Sequence, residues 1–109
     1  MTKNKELLRA ILEEYQQLWQ QHDSATLEVV IDPRSQHYQL LRYGWAADHK
    51  FVHHAVFSFV VKRDKIWLLR DNTDVEIVEQ LVQRGIDRGD FVIAFIPENE
   101  RQYTEYAVN

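Results

Sequence analysis

The sequence predicts an α+β domain: a two-layer sandwich in which a mainly antiparallel sheet of four to five strands carries two helices on one face, in the order α-β-β-β-β-α-β. Three observations predict it. Apolar residues recur at three- and four-residue steps near the start, four segments with a two-residue period follow at hairpin distances, and a second helical stripe precedes a last apolar run. Short connections make successive strands antiparallel, and both helices then cover the same face.

Leu7, Leu8, Ile11, Leu12, Tyr15, Leu18 and Trp19 form one stripe, while Lys5, Glu6, Glu13, Glu14, Gln16 and Gln17 fill the other side, so a helix is expected from about Lys3 to Gln21. Leu27, Val29 and Ile31 alternate with Thr26, Glu28 and Val30 as a short first strand, closed by Asp32-Pro33-Arg34-Ser35. A second strand runs from His37 to Trp45. The third, Phe51 to Lys62, is expected to place Phe51, Ala55, Phe57, Phe59 and Val61 on one face and Val52, Val56 and Val60 on the other. Lys62-Arg63-Asp64-Lys65 is a tight turn into the fourth strand, Ile66 to Arg70.

Thr73-Asp74-Val75-Glu76 matches a capping box, which predicts a helix from Asp74 to Arg84 buried through Val75, Val78, Leu81 and Val82. Gly85 followed by Ile86 reads as its left-handed terminator with an apolar contact. Phe91 to Ile96 is expected as a fifth strand, ended by Pro97.

At 109 residues with 45% hydrophobic content the chain is expected to be one domain, 1–109, with a real core. Thirteen basic against seventeen acidic residues give a net charge of -4, so the field of the molecule repels phosphate and direct nucleic-acid binding is not expected. With no cysteine there is no thiolate for redox chemistry or zinc, and a cytoplasmic protein is expected. Charges interrupt the start where a signal peptide would be apolar. The longest apolar run, Ala55 to Val61, is far short of the ~20 residues of a membrane-spanning helix, so no membrane partner is expected.

Side chains that could carry chemistry are few. Asp71 and Thr73 flank a strand-to-helix corner, where a helix mouth can hold an anion, but a capping role is the simpler reading and Asp74 opposes an anion. His53 and His54 are adjacent on a strand and point to opposite faces, so they cannot chelate together. Lys62, Arg63 and Lys65 read as a solvated turn. No catalytic, cofactor-binding or metal residue is assigned, and no cofactor is expected. The tail residues Arg101, Tyr103, Thr104 and Tyr106 read either as a segment docked on the sheet or, with Trp67, as a contact surface, since interfaces favour Trp, Tyr and Arg. A face carrying Trp67, Tyr43 or Trp45 would be an apolar patch, so self-association, as a homo-oligomer such as a dimer, or a partner protein is expected.

Taken together, His37-Tyr38-Gln39-Leu40 with Gly44-Trp45, Lys65-Ile66-Trp67 with Asp71-Asn72-Thr73, and Arg101-Gln102-Tyr103-Thr104-Glu105-Tyr106-Ala107-Val108 resemble the XisI family of cyanobacteria, the fdxN element excision controlling factors. Departures fall at turns: the family tends to have glycine before Lys-Ile-Trp, where Asp64 stands here, and Asp-Gly-Thr where Asn72 stands here. The resemblance implies a non-enzymatic regulatory protein that works with an XisH-like, nuclease-fold partner and a site-specific recombinase in DNA excision during heterocyst development. A small-molecule or nucleotide-binding module, with a pocket between sheet and helices, is the alternative. A hydrolase or nuclease using Asp71 with Glu76 or Asp74 is a third reading, opposed by the lack of a convergent base, nucleophile and oxyanion donors.

Overall fold

The first apolar stripe becomes helix α1, Thr2–Gln20, in the computed structural model, which describes residues 1–109. Leu8, Ile11 and Leu12 are wholly buried against the sheet, as their spacing requires. The strands are β1 (Thr26–Asp32), β2 (His37–Trp45), β3 (Phe51–Lys62) and β4 (Lys65–Asp71), followed by α2 (Ile77–Gln83) and β5 (Phe91–Ile93). They lie side by side in chain order. The first three pairings are antiparallel, while β4 and β5 run parallel because α2 intervenes as a crossover between them.

Both helices pack on one face. Ile77, Val78 and Leu81 of α2 join the residues of α1 and the inward set Leu27, Tyr38, Leu40, Phe57, Phe59, Ile66, Leu68, Phe91 and Ile93 in a single core. Each fully buried phenylalanine contributes about 1.5–3 kcal/mol through burial. Tyr15 donates from its hydroxyl to Gln80 at 2.8 Å and Arg84 pairs with Glu14, so the helices are also tied to each other.

Two bulges set which residues face the core. Leu40 pairs with Phe57 but Leu41 with Ala55, so Val56 is the extra residue in β3. The bulge reverses the alternation. Phe51, His53 and Ala55 therefore lie on the face opposite Phe57, Phe59 and Val61, against the expected single row, and Val56 is buried in the core. A second bulge leaves Leu69 unpaired, since Phe59 meets Leu68 and Ser58 meets Arg70. It turns Asp71 to the helix side, opposite Phe57.

The turn Arg63-Asp64 has φ of 53° and 60°, the left-handed pair that a two-residue hairpin needs, supplied here without glycine. At the end of α2, Gly85 at φ 115° lets the Ile86 N–H reach the Leu81 carbonyl at 3.2 Å while Ile86 is buried, as the sequence predicts. The start of α2 differs from expectation, as does β5, which stops at Ile93 rather than Ile96. Beyond Ile93 the chain folds over: Ala94 donates to Leu68, and Ile96 back to Ile93. No helix is long and apolar enough to cross a membrane.

Candidate interaction surface

The strand-to-helix corner is locally self-satisfied. Asp71 Oδ1 accepts from the Thr73 amide at 3.0 Å and from its hydroxyl at 2.7 Å, and Thr73 Oγ1 accepts from the Val75 N–H at 3.2 Å. These two-residue turn bonds displace the expected capping box. Glu76 sits at φ 54°, ψ 58°, and α2 starts only at Ile77, three residues later than the motif implied. With Asp71 Oδ1 and the Thr73 hydroxyl bonded to each other, an acid at the corner and no long helix behind it, the Asp71–Thr73 corner is not built to hold an anion. A cavity of about 290 Å³ lies between α2 and the ends of β4 and β5, lined by Leu68, Asp71, Glu76, Ile93, Phe95 and Tyr106 among others. Its polar lining is acidic, the wrong sign for a nucleotide phosphate.

The tail docks on the far edge of the sheet and wraps it. From within a 3-10 turn over Glu98–Tyr103, Arg101 donates to three carbonyls, those of Ile96 at 2.9 Å, Val108 at 3.0 Å and Ala94 at 3.2 Å. Its guanidinium lies 5.4 Å from the Trp67 ring centre and Lys62 Nζ lies 4.2 Å from it. Trp67 is thus only 7% exposed, a correction to the expectation that it would stand on an open face. Its indole N–H finds no protein acceptor. On the other side of the same edge, Tyr106 packs its ring on Phe91 and donates to Glu79, which also pairs with Arg88. Burial, with Glu79 close by, pushes the Tyr106 hydroxyl up to about 12. Thr104 accepts from the Tyr106 N–H and donates to the Arg101 carbonyl, bracing the turn. Of the tail candidates, Tyr103 alone points out, at 83% exposure.

Exposed aromatic surface lies elsewhere. Trp45 and Phe51, paired across the end of the β2–β3 hairpin, meet edge to face at 5.4 Å and are 65% and 61% exposed. Tyr43, Leu41 and Ala55 continue the patch along the sheet face opposite the helices. Residue type nominates Trp45 and Tyr43 for that face, but strict alternation puts Phe51 on the same face as Phe57, because the bulge at Val56 is not visible in the sequence. One signal is available: strict alternation puts Val56 and Phe57, both apolar, on opposite faces, whereas a bulge buries the two together.

On the helix side of the same hairpin, Arg42 grips Asp23 through Nε at 2.6 Å and Nη2 at 3.0 Å. The Arg42 bond holds the Asp23 carboxyl below its usual range. Burial, then Arg42 and Arg70, pushes His54 down, whereas His53 is exposed on the opposite face. No three His, Asp or Glu side chains converge to hold a metal ion.

A family profile described as XisI protein matches residues 1–108. The chain belongs to the XisI family. The chain is similar to a crystallised XisI-like protein from Anabaena variabilis, with 31% identity, a TM-score of 0.89, and coverage of 99% of this chain and 98% of that one. A second similar structure, the fdxN element excision controlling factor XisI from Anabaena variabilis, is 27% identical with a TM-score of 0.81, covering 99% and 97% of the two chains. No curated protein matches. In this XisI-family chain the stretches that carry the resemblance have mechanical roles: Lys65-Ile66-Trp67 starts β4 beneath Arg101, and Arg101 to Val108 closes the sheet edge.

Proposed function

We propose that this chain is a non-enzymatic controlling factor that binds an XisH-like protein and thereby regulates DNA-element excision or a related nuclease-like system, within the cytoplasm. The observation that carries this reading is similarity along nearly the whole chain to a protein named as an fdxN element excision controlling factor. The side chains are compatible with it: Thr73 donates to Asp71, and Glu79 is paired with Arg88 and Tyr106. The contact surface proposed for the partner is the outer sheet face around Trp45, Phe51 and Tyr43, with Tyr103 as a candidate at the tail. Two large exposed aromatics in contact are the kind of residue that dominates binding energy. Trp67, Arg101, Thr104 and Tyr106 instead hold the tail, and with it Tyr103, at the β5 edge.

Co-purification with an XisH-like protein encoded beside this chain tests the reading. A stable complex is expected, weakened at least roughly 30-fold by Trp45→Ala or Phe51→Ala, as for a central aromatic anchor. If such a neighbour never associates with the folded chain, the reading fails. A change of melting temperature on one member of a nucleotide panel would instead favour the small-molecule module.

A further inference from the structure

We propose that the outer edge of β1 receives an extended basic strand from a partner protein, extending the five-stranded sheet by one. The backbone of Leu27 is bonded from α1: its N–H donates to Gln20 Oε1 at 2.7 Å, and its carbonyl accepts from Gln16 Nε2 at 3.2 Å. Leu27 therefore turns its peptide groups away from β2. Antiparallel alternation turns those of Val29 and Ile31 the same way. The glutamine caps stop at Leu27, so two consecutive outward donor-acceptor pairs stand free. Beside them a groove of about 450 Å³ runs between α1 and β1, lined by Arg9, Glu13, Val29, Ile31 and Pro33. A strand laid on Val29 and Ile31 would project its alternate apolar side chains into that groove.

Charge selects the occupant. Glu28 and Asp32 are exposed on the other face of β1, four residues apart. An antiparallel strand places two of its own residues, also four apart, opposite them, and cations there are favoured while acids are not. The net charge of -4 steers the same kind of partner. A second copy of this chain fits poorly. Pairing about Val30 would use the free groups but set Glu28 against Asp32 of the other copy twice over. Pairing about Val29 would separate the acids but require the groups of Leu27 that Gln16 and Gln20 already hold. Glu28 borders the outer aromatic patch, since it accepts from the Tyr43 hydroxyl at 3.3 Å, but the added strand would pair with the backbone beyond β1, and its test needs no XisH-like protein.

The probe is a blocked synthetic peptide, Thr-Lys-Val-Thr-Val-Lys-Thr, added at up to millimolar concentration to the full chain while amide exchange is followed by NMR. Slowed exchange at Val29 and Ile31 is expected. The same peptide with glutamate for both lysines is expected to bind roughly tenfold more weakly, and Glu28→Lys to narrow or invert that preference without unfolding an exposed strand position. Equal binding of the two peptides, protection confined to other amides, or no binding of the lysine peptide overturns the proposal. So does protection of Val29 and Ile31 that grows with protein concentration alone, which would assign the edge to a second copy.

Discussion

The two edges of the sheet are treated in opposite ways. At β5 the chain supplies its own cover: Ala107 donates to the Phe91 carbonyl at 2.8 Å, Arg101 ties three carbonyls, and the tail covers Trp67 on one side and Phe91 on the other. At β1 two glutamines from α1 satisfy only Leu27 and leave the next residues of the strand open. A sheet edge is a template for pairing, and evolution usually blunts it. The difference teaches that the β5 edge is part of the fold, whereas the β1 edge is a surface kept available, with Glu28 and Asp32 limiting what can use it.

The largest effect should follow from removing the β5 cover. Deleting every residue after Pro97 uncovers Trp67, Val92 and Phe91, and is expected to cost about 4 kcal/mol or more, read as a collapse of the urea midpoint. A tail that were only a partner-binding appendage would leave that midpoint unchanged. Arg101→Ala, which keeps the tail but frees three carbonyls, is expected to cost about 2–3 kcal/mol by the same measurement. Arg101→Lys should recover less than half of it, because an ammonium cannot reproduce the planar fork.

Cutting at the other edge should matter less. Gln20→Ala removes the acceptor of the Leu27 N–H and a 2.8 Å bond to the Ala25 carbonyl, with an expected cost of about 1 kcal/mol. Its clearer signature is faster exchange of the Leu27 amide with the rest of the sheet unchanged.

The smallest effect is confined to alkaline pH. Tyr106 keeps its proton in the folded state up to about 12, above the ordinary value of 10 for an unfolded tyrosine. Between those values the unfolded chain has lost the proton and the folded one has not, so this contribution is fully present below pH 10 and is lost as pH rises towards 12. Chemical denaturation across that window should show falling stability, with a shallower slope for Tyr106→Phe.

Most of the layer architecture was legible because it rests on periodicity, which the sequence carries openly. The stripe of α1, the extents of β2 and β3, and the Gly85-Ile86 terminator all follow from residue type and spacing. What was not legible arises where one local interaction defeats another. Thr73 could cap a helix or close a turn with Asp71, and the shorter-range bonds prevailed, delaying α2. Val56 could continue an alternation or form a bulge, and pairing with β2 decided it, moving Phe51 to the outer face. For the surface, residue type alone points to Trp67, and nothing local announces that Arg101, 34 positions later, covers it. Trp45 and Tyr43 were visible candidates; the β1 edge was not, since it depends on which backbone groups the glutamines of α1 reach.

Amide hydrogen exchange on the dilute full-length chain tests the contrast between the edges most directly. The Ala107 amide is predicted to be protected by its bond to Phe91, while those of Val29 and Ile31 exchange close to the rates of an unstructured chain. Rapid exchange at Ala107, or strong protection at Val29 and Ile31 in the absence of any partner, would contradict the account.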